Sequence, residues 1–140
     1  MRIQTPIFAA ALLLAFAVFA QQAKDSIAGT WEGESACVIR DSPCHNEHVV
    51  YEISRDSTPE KSGASLGWKM QGYKIVDGKK QFMGTLLCSY HEAKRNLSCV
   101  ASRDLDWEFF FEGENLHGTL HAGQDRILFR KVSAKRISTS

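Results

Sequence analysis

Cysteines, histidines and clustered carboxylates are the residues of this chain best equipped for chemistry. The cysteines are Cys37, Cys44, Cys88 and Cys99. In an exported chain an even count reads as two disulfides, and four cysteines allow three pairings. They fit bridges better than nucleophiles. His117 and His121 point to one face of a strand but stand about 13 Å apart at about 3.3 Å per residue, too far for one ion held at about 2 Å from each. His45 and His48, with Glu47, sit in a loop where chelation is sterically feasible, but no third or fourth ligand accompanies them. No metal site is expected. Glu32 with Glu34 and Asp104 with Asp106 are carboxylate pairs that fit a solvated strand face and a turn. No Gly-x-Ser-x-Gly elbow, His-Glu-x-x-His helix or phosphate loop is present. The residues therefore point away from an enzyme and call for no cofactor. Asn96-Leu97-Ser98 matches a glycosylation acceptor.

The compartment is written at the start of the chain. Arg2 precedes an unbroken apolar run, 7–20, which Gln21 and Gln22 end. These are the parts of a secretory signal peptide. At about 21 Å as a helix the run is short for a hydrocarbon core of about 30 Å. Val18 and Ala20 are small enough for cleavage after Ala20, with Ala23 as the second choice. The expected organisation is a leader over 1–20, a short extension over 21–26, one domain over 27–132 and a polar tail over 133–140. Secretion or a periplasmic location follows, with no membrane span once the leader is removed. The formal charge of +1 falls near zero when Arg2 is lost, which excludes the basic excess of a nucleic-acid partner.

Period-two alternation punctuated by turn residues dominates the mature chain, the pattern of half-buried antiparallel strands. In 27–39 one face carries Gly29, Trp31, Gly33, Ser35 and Cys37. A second strand turns Val49, Tyr51 and Ile53 inward. A polar loop, 56–64, leads to a third strand, 66–76, with Trp68 and Met70 inward and a bulge expected near Gly72. Asp77-Gly78 is the strongest hairpin turn. Phe82, Gly84, Leu86, Cys88 and Tyr90 share the inner face of the fourth strand. Leu97, Cys99 and Ala101 belong to the fifth; Trp107, Phe109 and Phe111 to the sixth; Leu116, Gly118 and Leu120 to the seventh. The eighth spans 127–132.

Short connections favour pairing of successive strands, an up-and-down meander. Eight such strands can close and remove both sheet edges. The expected fold is all-β, an eight-stranded antiparallel barrel, with a β-sandwich as the alternative. Placing Cys88 opposite Cys99 puts Tyr90 opposite Leu97 and leaves Ala93-Lys94 as the connection. That geometry permits a bridge, and Cys37–Cys44 would clamp the first hairpin around Pro43. Crossed pairings stay open.

Gly29-Thr30-Trp31, opening the first strand of the mature domain, resembles the Gly-x-Trp start of lipocalins and other calycins. The resemblance implies that Trp31 plugs the closed end of the barrel and that Arg130, in Leu128-Phe129-Arg130, packs across it from the last strand. The chain is shorter than a typical lipocalin and lacks its long helix, so its dimensions are nearer to avidin-like or fatty-acid-binding calycins. The ring-rich inner face (Tyr51, Trp68, Met70, Phe82, Tyr90, Trp107, Phe109 and Phe111) would line a pocket for a small apolar or amphipathic ligand. Alternatively the rings fill the barrel and the protein acts as an interaction or inhibitor module, contacting a protein partner through loops 41–47 and 56–64.

Overall fold

A computed structural model describes residues 26–57 and 67–139. Eight strands form a closed antiparallel barrel in sequence order: β1 (Gly29–Cys37), β2 (Glu47–Arg55), β3 (Trp68–Val76), β4 (Lys79–His91), β5 (Asn96–Ser102), β6 (Leu105–Glu112), β7 (Asn115–Ala122) and β8 (Ile127–Ser138), with β8 pairing back onto β1. The expected leader, 1–20, and most of the 56–64 loop lie outside the described residues. Among the described residues, no helix is long and apolar enough to cross a membrane.

The alternation sets the inner wall. Trp31, Tyr51, Met70, Leu97, Phe109 and Leu116 are all buried, and paired residues of adjacent antiparallel strands share a face. Asp77 and Gly78 both adopt positive φ, 50° and 73°, the conformation that a two-residue hairpin demands. Gly33 lies where β1 and β8 nearly touch: a Cβ there would stand 2.0 Å from the Ser133 carbonyl oxygen. Gly118 lets the Phe109 ring lie against the backbone of β7, since a Cβ would meet its Cδ1 at 2.6 Å.

Both disulfides fall as the register reading expects, Cys37–Cys44 and Cys88–Cys99. Cys88 faces Cys99 and Tyr90 faces Leu97 across β4 and β5. The connection is longer than two residues. A 3-10 turn, Glu92–Lys94, precedes Arg95 in the left-handed region, and the Arg95 N–H donates to the Glu92 carbonyl.

The expected bulge near Gly72 belongs to the neighbouring strand. Gly72 faces Gly84 but Tyr73 faces Phe82, so Met83 is the extra residue and β4 carries the irregularity. This reverses the phase of β4 below Gly84. Phe82, expected inside, is therefore 59% exposed and packs beside Tyr73, 5.5 Å between ring centroids. Tyr73 in turn donates to Glu52 on the outer surface.

The last strand also runs further than the 127–132 segment, taking in most of the expected tail. It reaches Ser138 and pairs along both β1 and β7. Its inward positions there are Ala134, small enough to sit against Gly33, and Arg136, whose charge masks the alternation.

Candidate functional site

Trp31 closes one end of the barrel, fully buried. Its indole N–H donates to the Ile27 carbonyl at 3.1 Å, and Phe111 meets it edge-on at 5.1 Å. The cation across it is Arg136, with Cζ 4.5 Å from the ring centroid; the assignment of this place to Arg130 is overturned. Antiparallel pairing explains why. Trp31 lies opposite Arg136, whereas Arg130 lies opposite Cys37, six residues further along β1 and at the other end of the barrel. The Arg136 side chain is only 2% exposed. It donates to the Ala28 carbonyl at 3.2 Å, and its Nε lies 3.3 Å from Glu114 Oε2, close enough for ion pairing though off hydrogen-bond geometry.

Three of the eight expected ligand residues belong to this base. Trp68 packs edge-on against Tyr90, which reaches Phe111. Arg55 Cζ lies over the Trp68 ring, 4.2 Å from its centroid. A cleft of about 520 Å³ opens at this end, bounded by Ser26, Arg55, Trp68, Tyr90 and Glu92, with a more polar lining than the one at the opposite end.

The opposite end holds a smaller, more apolar cleft. It measures about 240 Å³ and is bounded by Tyr51, Met70, Trp107 and Phe109, four of the expected residues. Trp107 stacks on Phe109 with centroids 5.4 Å apart, and Tyr51 meets Phe109 edge-on at 5.6 Å. Met83 and Leu86 complete the apolar wall. The room exists because the inward row Trp31–Tyr51–Gly72–Gly84 ends in two residues without side chains. A Cβ on Gly72 would meet nothing closer than 3.6 Å.

Polar groups converge on one side of this cleft. Arg130 Nη1 donates to the carbonyl and hydroxyl oxygens of Ser35, at 3.2 and 3.0 Å, and Nη2 donates to the His45 carbonyl at 2.8 Å. Glu47 Oε2 stands 3.6 Å from Nη1. Burial pushes the Tyr51 phenol well above its ordinary pKa, a shift opposed by Arg130 and reinforced by Glu47. The phenol thus stays a neutral donor and acceptor.

Glu47 and Ser35 are site residues that the sequence reading missed, and Arg130 enters the site in a different role. Parity gives the signal for Glu47, because it shares the phase of Val49 and Tyr51. Reading it as part of a loop with His45 and His48 hid that. The two histidines diverge: His48 Nε2 is 2.7 Å from Glu32 Oε1, while His45 offers its backbone carbonyl to Arg130. Among the described residues no group of three or more His, Cys, Asp or Glu could hold a metal ion. Asn96 is buried, and its side-chain carbonyl accepts from the Ser98 hydroxyl, so the glycosylation motif is closed off in the folded barrel.

A closed barrel of this size, stapled by two disulfides, is compatible with a binding or interaction module. Two bridges fit an oxidising environment. The sequence matches no known protein-family model, and no characterised protein matches it.

Proposed function

We propose that this chain is an exported, lipocalin-like binding protein for a small amphipathic molecule held in the cleft between Trp107 and Arg130. The observation that carries the reading is the composition of that cleft. Stacked rings and two methionines form one wall, and a partly buried arginine–carboxylate pair forms the other. Binding sites combine an apolar lining with a few fixed polar groups in this way. Its volume of about 240 Å³ lies below the roughly 300–1,000 Å³ usual for drug-sized ligands. The ligand is therefore a one- or two-ring molecule, not a long lipid chain. The apolar leader and the two disulfides support export. Titration calorimetry of the purified protein against a panel of small hydrophobic compounds tests the reading; saturable binding of compact ring compounds supports it, and silence across the panel rejects it.

One observation favours a second reading, contact with a protein partner. The loop after β1 is held at several points: by the Cys37–Cys44 bridge, by Asn46 Oδ1 accepting from the Cys37 N–H at 2.9 Å, and by Arg130 on the His45 carbonyl. A loop fixed this way loses little entropy on binding. Loss of a captured partner on replacing 41–46, with no small-molecule binding, would favour this reading.

A further inference from the structure

The polar wall of the cleft carries one full positive and one full negative charge side by side. Arg130 and Glu47 stand 3.6 Å apart with side chains 13% and 28% exposed. Arg130 is committed to the protein, with three N–H bonds given to Ser35 and His45. Glu47 is the more accessible of the two, and its distance from Arg130 exceeds hydrogen-bond length. Its carboxylate oxygens are thus available to accept from a ligand. The remaining polar groups of the cleft, the Tyr51 and Ser35 hydroxyls, are neutral.

We infer that the cleft selects a compact aromatic molecule bearing an uncharged head that both donates and accepts hydrogen bonds, of the primary-amide class, over the corresponding carboxylate or ammonium. The inference rests on the binding-protein reading above. A carboxylate head meets attraction from Arg130 and repulsion from Glu47; an ammonium meets the reverse. Either must give up its hydration to enter a lining whose net charge is zero, so no surplus charge offsets that loss. An amide leaves far less hydration behind. Its N–H can donate to Glu47 while its carbonyl accepts from the Tyr51 hydroxyl. Unpaired or mismatched polar groups in such sites discriminate more sharply than apolar contacts do.

The test is calorimetric titration of the full chain at neutral pH with indole-3-acetamide, indole-3-acetate and tryptamine, which share one ring system, alongside indole itself. The amide is expected to bind at least about tenfold more tightly than either charged compound. A charged compound binding as tightly as the amide overturns the inference while leaving a binding protein in place. No binding by any of the four overturns both together. Glu47→Gln supplies a second arm, since the substitution keeps size and shape at a partly exposed position. It should tighten indole-3-acetate by about tenfold, because Arg130 is then unopposed. An acetate affinity unchanged by Glu47→Gln overturns the charge-balance argument.

Discussion

Arg136 holds its guanidinium carbon 4.5 Å from the centroid of the Trp31 ring, at the end of the barrel opposite the smaller cleft. The contact joins the last strand to the first. Arg136→Ala removes the cation–π contact, uncovers the ring and leaves the Ala28 carbonyl without its donor. A loss of about 2–3 kcal/mol is expected, read from the urea midpoint, with a red shift in tryptophan emission. Wild-type stability in this variant would show that the base does not depend on the contact.

Two glycines should rank by what a methyl group would strike. At Gly33 it meets the Ser133 carbonyl oxygen at 2.0 Å, which is backbone and can yield only if β1 and β8 separate. At Gly118 it meets the Phe109 ring at 2.6 Å, and a ring can tilt. Gly118→Ala is expected to cost about 1–3 kcal/mol, the usual range for overpacking. Gly33→Ala should cost more, with thermal melting reporting the order. A milder effect at Gly33 than at Gly118 would contradict the β1–β8 approach.

The two bridges differ in burial. Cys88 and Cys99 are buried in the core, whereas Cys37 and Cys44 are half-buried at the rim. Under native conditions a thiol reductant should open Cys37–Cys44 first, because exchange needs access to the sulfur. Mass mapping of alkylated cysteines checks the order. Each bridge closes a short loop, so each contributes somewhat under about 3 kcal/mol in the chain-entropy model.

Tyr51 predicts an alkaline limit to stability. Burial raises its pKa in the folded chain above the ordinary value of 10.0. Below pH 10.0 both states hold the phenol proton and the contribution is fully present. As pH rises beyond that value the unfolded state ionises first, so stability falls. Tyr51→Phe should flatten this fall, measured as urea midpoints from neutral pH upward. A wild-type midpoint independent of pH in the alkaline range would contradict the buried phenol.

Much of this barrel is legible because alternation, turns and disulfide spacing all describe the same wall. The strands, both bridges and four cleft residues follow from period two. Three features escape it, each for a physical reason. Met83 is one extra residue in β4, and a one-residue insertion turns Phe82 to the opposite face. Arg136 occupies an inward position without being apolar, so β8 reads as ending six residues early. The choice between Arg130 and Arg136 as the cation over Trp31 is a matter of β1–β8 register, which spacing along one strand does not contain. The same register carries Arg130 to the cleft, where it meets Glu47.

The claim that the cleft is a ligand site can be tested at two atoms. The sequence has three methionines, Met1, Met70 and Met83, and the last two both line the cleft. Protein labelled with carbon-13 at the methionine methyl groups reports on it through two resonances. Titration with indole-3-acetamide should move both in parallel and saturably, through the ring current of a bound aromatic. Both staying fixed while the compound is added in large excess would contradict the account.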